Sequence, residues 1–190
     1  MILLDRDGVL NRVVIDPEQG TVDSPLYPDQ VGVFPWVPDA LAKLARAGYG
    51  LAIVTNQPAA AKGKTTRDNL LAVHKKVLES AQSDGARILS SHICFHRAED
   101  LCACRKPKTW LLREAFQMNP DYDRPEIKNA SWMVGDGVTD VQAGVAFGLK
   151  TAFFGPKKCD GCRIFEDRDL NPAFWGKNLG EFADFLVSEK

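Results

Sequence analysis

Two carboxylates stand two positions apart near the start of the chain, in Asp5-Arg6-Asp7-Gly8, directly behind the apolar stub Ile2-Leu3-Leu4. Alternate side chains of an extended segment share a face, so a short strand ending here aims Asp5 and Asp7 off the same end. Two acids held together repel, and a hard, oxygen-seeking cation suits them as a partner. Such a pair fits a metal-assisted nucleophile beside a general acid and base. A second chemically capable group follows at Cys94-Phe95-His96 and Cys102-Ala103-Cys104. Three thiols and an imidazole at this spacing match a tetrahedral Cys₃His zinc site. Protein would fill all four positions, which makes that zinc structural: it would fold the loop carrying Arg105 and Lys106.

These residues need elements to position them. Five apolar, β-prone runs recur along the chain: Ile2–Leu4, Gly50–Thr55, Ile88–Cys94, Ser131–Gly135 and Lys150–Phe154. Helical stretches are expected at Pro38–Ala47, Thr65–Gln82, Thr109–Gln117, Val138–Phe147 and Leu179–Glu189. Pro38-Asp39 opens the first of these and Gly48 closes it. Alternating helices and continuously apolar strands imply an α/β architecture, a parallel sheet covered on both faces. Asn11–Pro35, rich in Pro, Asp and Gly, reads as a loop or small flap. Arg97–Pro107 is a Cys-bearing loop, and Lys157–Trp175 is polar and turn-rich. His92 is expected in a strand and His74 on a helix, neither as a metal ligand.

In an open α/β sheet, ligands bind beyond the carboxyl ends of the strands. Residues just past each run then converge: Asp5 and Asp7, then Thr55-Asn56-Gln57, then Arg105-Lys106-Pro107, then Gly135-Asp136-Gly137-Val138-Thr139-Asp140. Acids, a hydroxyl and a basic pair form an inventory for phosphate and Mg²⁺.

This ordered set resembles the haloacid dehalogenase-like (HAD) superfamily of phosphatases. Asp5-Arg6-Asp7-Gly8 matches its first motif, Thr55 its second, Lys106 its third and Gly135–Asp140 its fourth. The resemblance implies a Rossmann-like HAD fold with a minimal cap, over a single domain of residues 1–190. It implies that Asp5 attacks phosphorus to form an aspartyl-phosphate. Asp7 would protonate the leaving oxygen and then activate water. Mg²⁺ would be held by the Asp5 carboxylate, the Asp7 carbonyl and Asp136. Thr55 and Lys106 would stabilise the phosphoryl group, with Asn56, Gln57 and Arg105 also facing substrate, and Asp140 would brace the site.

The zinc-stapled loop narrows the resemblance to two groups, the D-glycero-D-manno-heptose 1,7-bisphosphate 7-phosphatases and the histidinol-phosphate phosphatases. Ala61-Lys62-Gly63, Leu71-Ala72-Val73-His74, Gly85-Ala86-Arg87 and Lys108-Thr109-Trp110-Leu111-Leu112 look closer to the first. Five positions, at three places, depart from the pattern. Pro58-Ala59-Ala60 replaces the usual Ser-Gly-Ile, Trp36 stands where a Gly is expected, and Gly137 stands where heptose phosphatases usually carry Lys. The expected activity is removal of the 7-phosphate from heptose 1,7-bisphosphate. The alternatives are histidinol-phosphate hydrolysis and a non-catalytic phosphosugar-binding protein.

Bulk properties agree with a metabolic enzyme. The chain has 190 residues, is 45% hydrophobic and carries a net charge of −1, enough for one full core and without a basic field for nucleic acid. No apolar run approaches membrane-spanning length. The acidic pair at residues 5 and 7 leaves no room for a signal peptide, so a cytoplasmic monomer acting on a small phosphorylated metabolite is expected. All five cysteines fall between Cys94 and Cys162. In a reducing compartment they read as metal ligands, apart from Cys159 and Cys162, expected in a loop with no catalytic role. Trp36 is expected near the mouth of the site.

Overall fold

The computed structural model describes residues 1–15, 20–82, 85–156, 165 and 170–189. All five expected runs are strands, and a sixth joins them. Strands β1 (Ile2–Leu4), β4 (Leu51–Asn56), β5 (Ile88–Cys94), β6 (Trp132–Gly135), β7 (Lys150–Phe154) and β8 (Phe174–Gly176) form one sheet in the order β5-β4-β1-β6-β7-β8. Every pairing in it is parallel. Burial on both faces explains the unbroken apolar character of the central strands.

The strand period of two sorts side chains into two cores. Ile2 and Leu4 of β1, Leu51 and Ile53 of β4, and Trp132 and Val134 of β6 face one side. They pack on helices α1 (Val37–Arg46), α2 (Arg67–Ala81) and α6 (Leu179–Ser188). Leu3, Ala52, Val54 and Met133 face the other side, against α3 (Trp110–Gln117) and α5 (Val138–Phe147). The arrangement is a three-layer α/β fold with helices on both faces.

Helix boundaries follow local capping. Thr66 accepts a hydrogen bond from the Asn69 N–H and starts α2, two residues later than the pattern suggests, because the capping residue itself is extended. Asn178 does the same for α6 through the Glu181 N–H. Helix α5 stops at Gly148, whose φ of +80° is open to glycine.

Three features escaped the sequence pattern. The stretch expected as a loop or flap contains a short antiparallel hairpin, β2 (Val14–Ile15) with β3 (Val22–Asp23). Two-residue strands are too short to show a period. The five-residue helix α4 (Pro125–Asn129) is hidden for the same reason. Edge strand β8 begins inside the stretch expected to be irregular. Its partner β7 and an aromatic cluster hold it: Phe174 lies 5.2 Å from Phe182 and Trp175 lies 5.1 Å from Phe153, ring centre to ring centre. Among the described residues between β1 and α1 lie the β2–β3 pair, a 3-10 turn at Pro28–Gln30 and short turns, in keeping with a minimal cap. Among the described residues, no helix is long and apolar enough to cross a membrane.

Phe182 is fully buried and touches the rings of Trp132, Phe154 and Phe174, so it joins α6 to three strands. Phe182→Ala should lower the unfolding free energy by about 3–5 kcal/mol in a urea titration.

Candidate active site

The parallel sheet brings the carboxyl ends of β1, β4 and β6 to one rim. Strands β1 and β6 are paired with Leu4 opposite Val134, so Asp5 and Asp136 emerge from adjacent strand ends. Two glycines let them close up. Gly8 has φ +80°, and a Cβ there would meet Asp136 Oδ2 at 1.9 Å. A Cβ on Gly135 would meet the Asp140 side chain at 2.3 Å.

Lys106 is the cation of this cluster. It is 2% exposed, and its ammonium lies 3.1 Å from Asp5 Oδ1 and 2.6 Å from Asp140 Oδ1. It also donates to the Val54 carbonyl at 2.7 Å. Burial alone would lower its pKa; Asp140 and Asp5 outweigh this and raise it. Asp140 also accepts from the Gly137 N–H at 3.0 Å. Asp140 thus braces both Lys106 and the first turn of α5.

Ligand oxygens of Asp5, Asp136 and Asp140 lie within 4.8 Å of one another. Burial and then repulsion by Asp5 and Asp140 push the Asp136 carboxyl up to about 7. Three acids against one ammonium carry more negative charge than the protein itself neutralises. A divalent, oxygen-binding ion fits this donor set.

Asp7 points into a different network. Its carboxylate accepts from the Arg6 guanidinium at 3.0–3.2 Å, from Asn11 Nδ2 at 2.8 Å and from Gln57 Nε2 at 2.6 Å. Gln57 also donates to Thr55 Oγ1 at 3.0 Å. The sequence reading set Asn56 and Gln57 facing substrate. In the folded chain their amides are taken by protein: Gln57 is fully buried in the Asp7 network, and Asn56 exchanges hydrogen bonds with the Lys106 backbone at 3.1 and 3.2 Å. Asn56 thereby ties the 105–107 loop to the end of β4. Arg6 and Asn11 were missed as site residues. Their signal was weak: a charged and a polar residue flanking an acid in a turn-rich stretch.

The sulfur and imidazole atoms also converge. Cys104 Sγ lies 3.2 Å from Cys94 Sγ and 3.5 Å from Cys102 Sγ; His96 Nδ1 lies 3.3 Å from Cys104 Sγ. A tetrahedral zinc with bonds near 2.3 Å separates its sulfurs by about 3.8 Å, close to this spacing. Burial and the neighbouring thiols push Cys104 up to about 12. The cluster can hold zinc. Lys108 closes the loop by donating to the Leu101 and Cys102 carbonyls. Arg105 donates to the His96 carbonyl at 3.1 Å, so the loop also orients Arg105. A cleft of about 310 Å³ opens beside it, lined in part by Arg97, Leu101, Arg105, Lys106 and Thr139.

His92 lies in β5 as expected and contacts Glu114 and Ser90 instead of the thiols. Trp36 stacks on Phe34 and lines a groove between α1 and α6 that none of the strand-end acids borders. Cys159 and Cys162 lie outside the described residues.

Known proteins resemble this chain. A HAD-hydrolase-like family model matches residues 103–164. The D-glycero-beta-D-manno-heptose-1,7-bisphosphate 7-phosphatase of Neisseria meningitidis is 33% identical over 158 residues, covering 80% of this chain and 75% of that one. Its counterpart from Pseudomonas aeruginosa is 30% identical over 181 residues, covering 88% and 92%. The chain belongs to the heptose bisphosphate phosphatase family of HAD hydrolases. Among solved structures, the D,D-heptose 1,7-bisphosphate phosphatase of B. bronchiseptica, crystallised with magnesium and phosphate, superposes with a TM-score of 0.78. It is 27% identical, with 100% of this chain and 98% of that chain covered. The HAD phosphatase fold and the phosphoric monoester hydrolase class follow from this membership.

His74, on α2, is 7% exposed and neither ring nitrogen has a hydrogen-bond partner among the described residues. Burial, then Arg6, push its pKa down from 6.5 to about 4, with Asp7 pulling the other way. Between those values the unfolded chain binds a proton that the folded chain refuses. Stability from this group is therefore intact above about pH 6.5 and falls as pH drops toward 4, by at most about 3 kcal/mol. His74→Leu should flatten that part of the pH–stability curve in urea titrations; an unchanged slope would refute the assignment.

Proposed function

We propose that this protein is a Mg²⁺-dependent phosphatase, acting as a single domain, that removes the 7-phosphate from D-glycero-D-manno-heptose 1,7-bisphosphate through an aspartyl-phosphate on Asp5. One observation carries the reading: Asp5, Asp136 and Lys106 gather at one sheet rim in a chain whose relatives over most of its length are named for that reaction.

Each residue has a physical part. Asp5, at the open end of β1, is the nucleophile. Its contact with the Lys106 ammonium holds it in line for attack. Asp7, entering the step as the carboxylic acid, gives its proton to the departing sugar oxygen and becomes a carboxylate. It then takes one from the water that hydrolyses the acyl phosphate. Lys106 and Thr55 meet charge that builds on the transferring phosphoryl group. The Asp5 and Asp136 carboxylates and the Asp7 carbonyl would hold Mg²⁺. When bound, that ion would neutralise phosphoryl oxygens and relieve the repulsion that raises Asp136.

Cys94, His96, Cys102 and Cys104 hold a structural zinc in this reading, which sets Arg105 at the cleft. The cleft beside Lys106 takes the body of a small phosphorylated metabolite, and the enzyme works as a cytoplasmic monomer. The departures at Pro58-Ala59-Ala60 and Gly137 lie beside the site, so a phosphosugar-binding protein without turnover is the competing reading.

The wild-type protein with Mg²⁺ should hydrolyse p-nitrophenyl phosphate, and chelation with EDTA should stop it. Asp5→Asn should lose more than about a thousandfold in kcat. Asp7→Asn should release one equivalent of nitrophenol per site in a burst and then stall, because the acyl phosphate lacks its base. Phosphate release from both anomers of heptose 1,7-bisphosphate, histidinol phosphate and other sugar phosphates identifies the preferred ester. A wild type as inert as Asp5→Asn that still binds sugar phosphates would establish the binding protein instead.

Metal analysis of the purified protein should find about one zinc per chain. Cys102→Ser should lose that zinc, with a lower melting temperature. Finding no zinc in the wild type, with an unchanged melting curve for Cys102→Ser, would remove the structural site.

A further inference from the structure

Arg6 is fully buried, a rare condition for arginine. Arg6 and Asp7 form a buried pair, and such a pair is commonly no more stabilising than apolar residues of the same volume, so stability alone does not explain it. One of its donors, Nη1, has no partner among the described residues. Among the described residues, the guanidinium's hydrogen bonds all go to one acid and to the residue that supports it. Nε and Nη2 donate to both oxygens of Asp7 at 3.0–3.2 Å, and Nη2 also donates to Gln57 Oε1 at 2.7 Å. Gln57, fully buried, turns its amide nitrogen back to Asp7 Oδ2 at 2.6 Å and to Thr55 Oγ1 at 3.0 Å. Asn11 adds a third anchor on Oδ1 at 2.8 Å. The Asp7 side chain is 12% exposed, so it keeps a small opening while Arg6, Asn11 and Gln57 grip its carboxylate.

We propose that Arg6 and Gln57 form a clamp that fixes the carboxylate of Asp7 at the distance from Thr55 that proton transfer to the leaving oxygen requires. Arg6 is then a positioning residue, acting only through Asp7. The single amide of Gln57 spans the hydroxyl assigned to the phosphoryl group and the acid assigned to the leaving oxygen. It therefore sets the spacing between the two. A short tether of this kind matters because misplacement of a proton donor by about 1 Å costs on the order of a hundredfold.

The proposal rests on the phosphatase reading, and the leaving group separates the two. A nitrophenolate leaves without a proton, whereas an alkoxide needs one. For Arg6→Lys, kcat/KM on an alkyl phosphate should fall on the order of a hundredfold, and much less on p-nitrophenyl phosphate. In an Asp7→Asn background the same substitution should change the nitrophenol burst rate by less than about twofold, since the group it positions is gone. Gln57→Leu should show the same pattern and carries the comparison if Arg6 variants fail to fold. Equal losses on both esters, or a further large loss in the Asp7→Asn background, would make Arg6 a structural residue and overturn the clamp. Unchanged or faster turnover of alkyl phosphate would overturn it too, by showing that Arg6 restrains Asp7 instead of placing it. An Asp7→Asn protein as fast as wild type on alkyl phosphates would sink the mechanistic reading beneath it.

Discussion

One buried ammonium holds the site together. Lys106 reaches from the Cys-bearing loop to Asp5 at the end of β1, to Asp140 in the first turn of α5 and to the β4 backbone. Each contact offsets the cost of taking that charge out of water, and none would suffice alone. Because the three partners sit on three different elements, the position of Lys106 depends on the register of β1, β4 and β6. Those elements in turn present their acids at a spacing that only a cation makes tolerable.

The parallel sheet makes the gathering possible. With β1 in the middle of the order and β4 and β6 on either side, the carboxyl ends of three strands open on one rim. Side chains just past each end meet there without long insertions. Small residues do the fine work. Gly8 and Gly135 leave room for carboxylates that any Cβ would displace.

Two acids only two positions apart therefore serve different neighbourhoods. Asp5 shares its surroundings with Asp136, Asp140 and Lys106, a setting of excess negative charge suited to a divalent ion. Asp7 is enclosed by Arg6, Asn11 and Gln57, a setting of hydrogen-bond donors. The difference in partners suits the two acids to the separate parts proposed for them, nucleophile and proton carrier. The Cys94–Cys104 cluster works at one remove, shaping the loop from which Lys106 and Arg105 project.

Much of this was legible from residue order. Five continuous apolar runs alternating with helices leave little choice but a parallel sheet, because only strands buried on both faces read that way. The acids, the threonine and the lysine fell just past the runs, and a parallel sheet must bring such positions together. The Cys and His spacing was equally plain, since ligands that close in sequence need only a local loop. Other features had no local signature. The paired strands β2 and β3 and the edge strand β8 are too short for periodicity and exist because neighbours pair with them. The direction of a side chain was also out of reach: Asn56 and Gln57 stand beside Thr55 in sequence, yet one ties down a loop and the other grips Asp7. Arg6 reads as a surface charge between two acids until the fold buries it. Composition and spacing determine which chemistry a chain can carry. Which amide ties down a loop and which grips an acid depends on contacts between residues some fifty positions apart, and only the folded structure makes those.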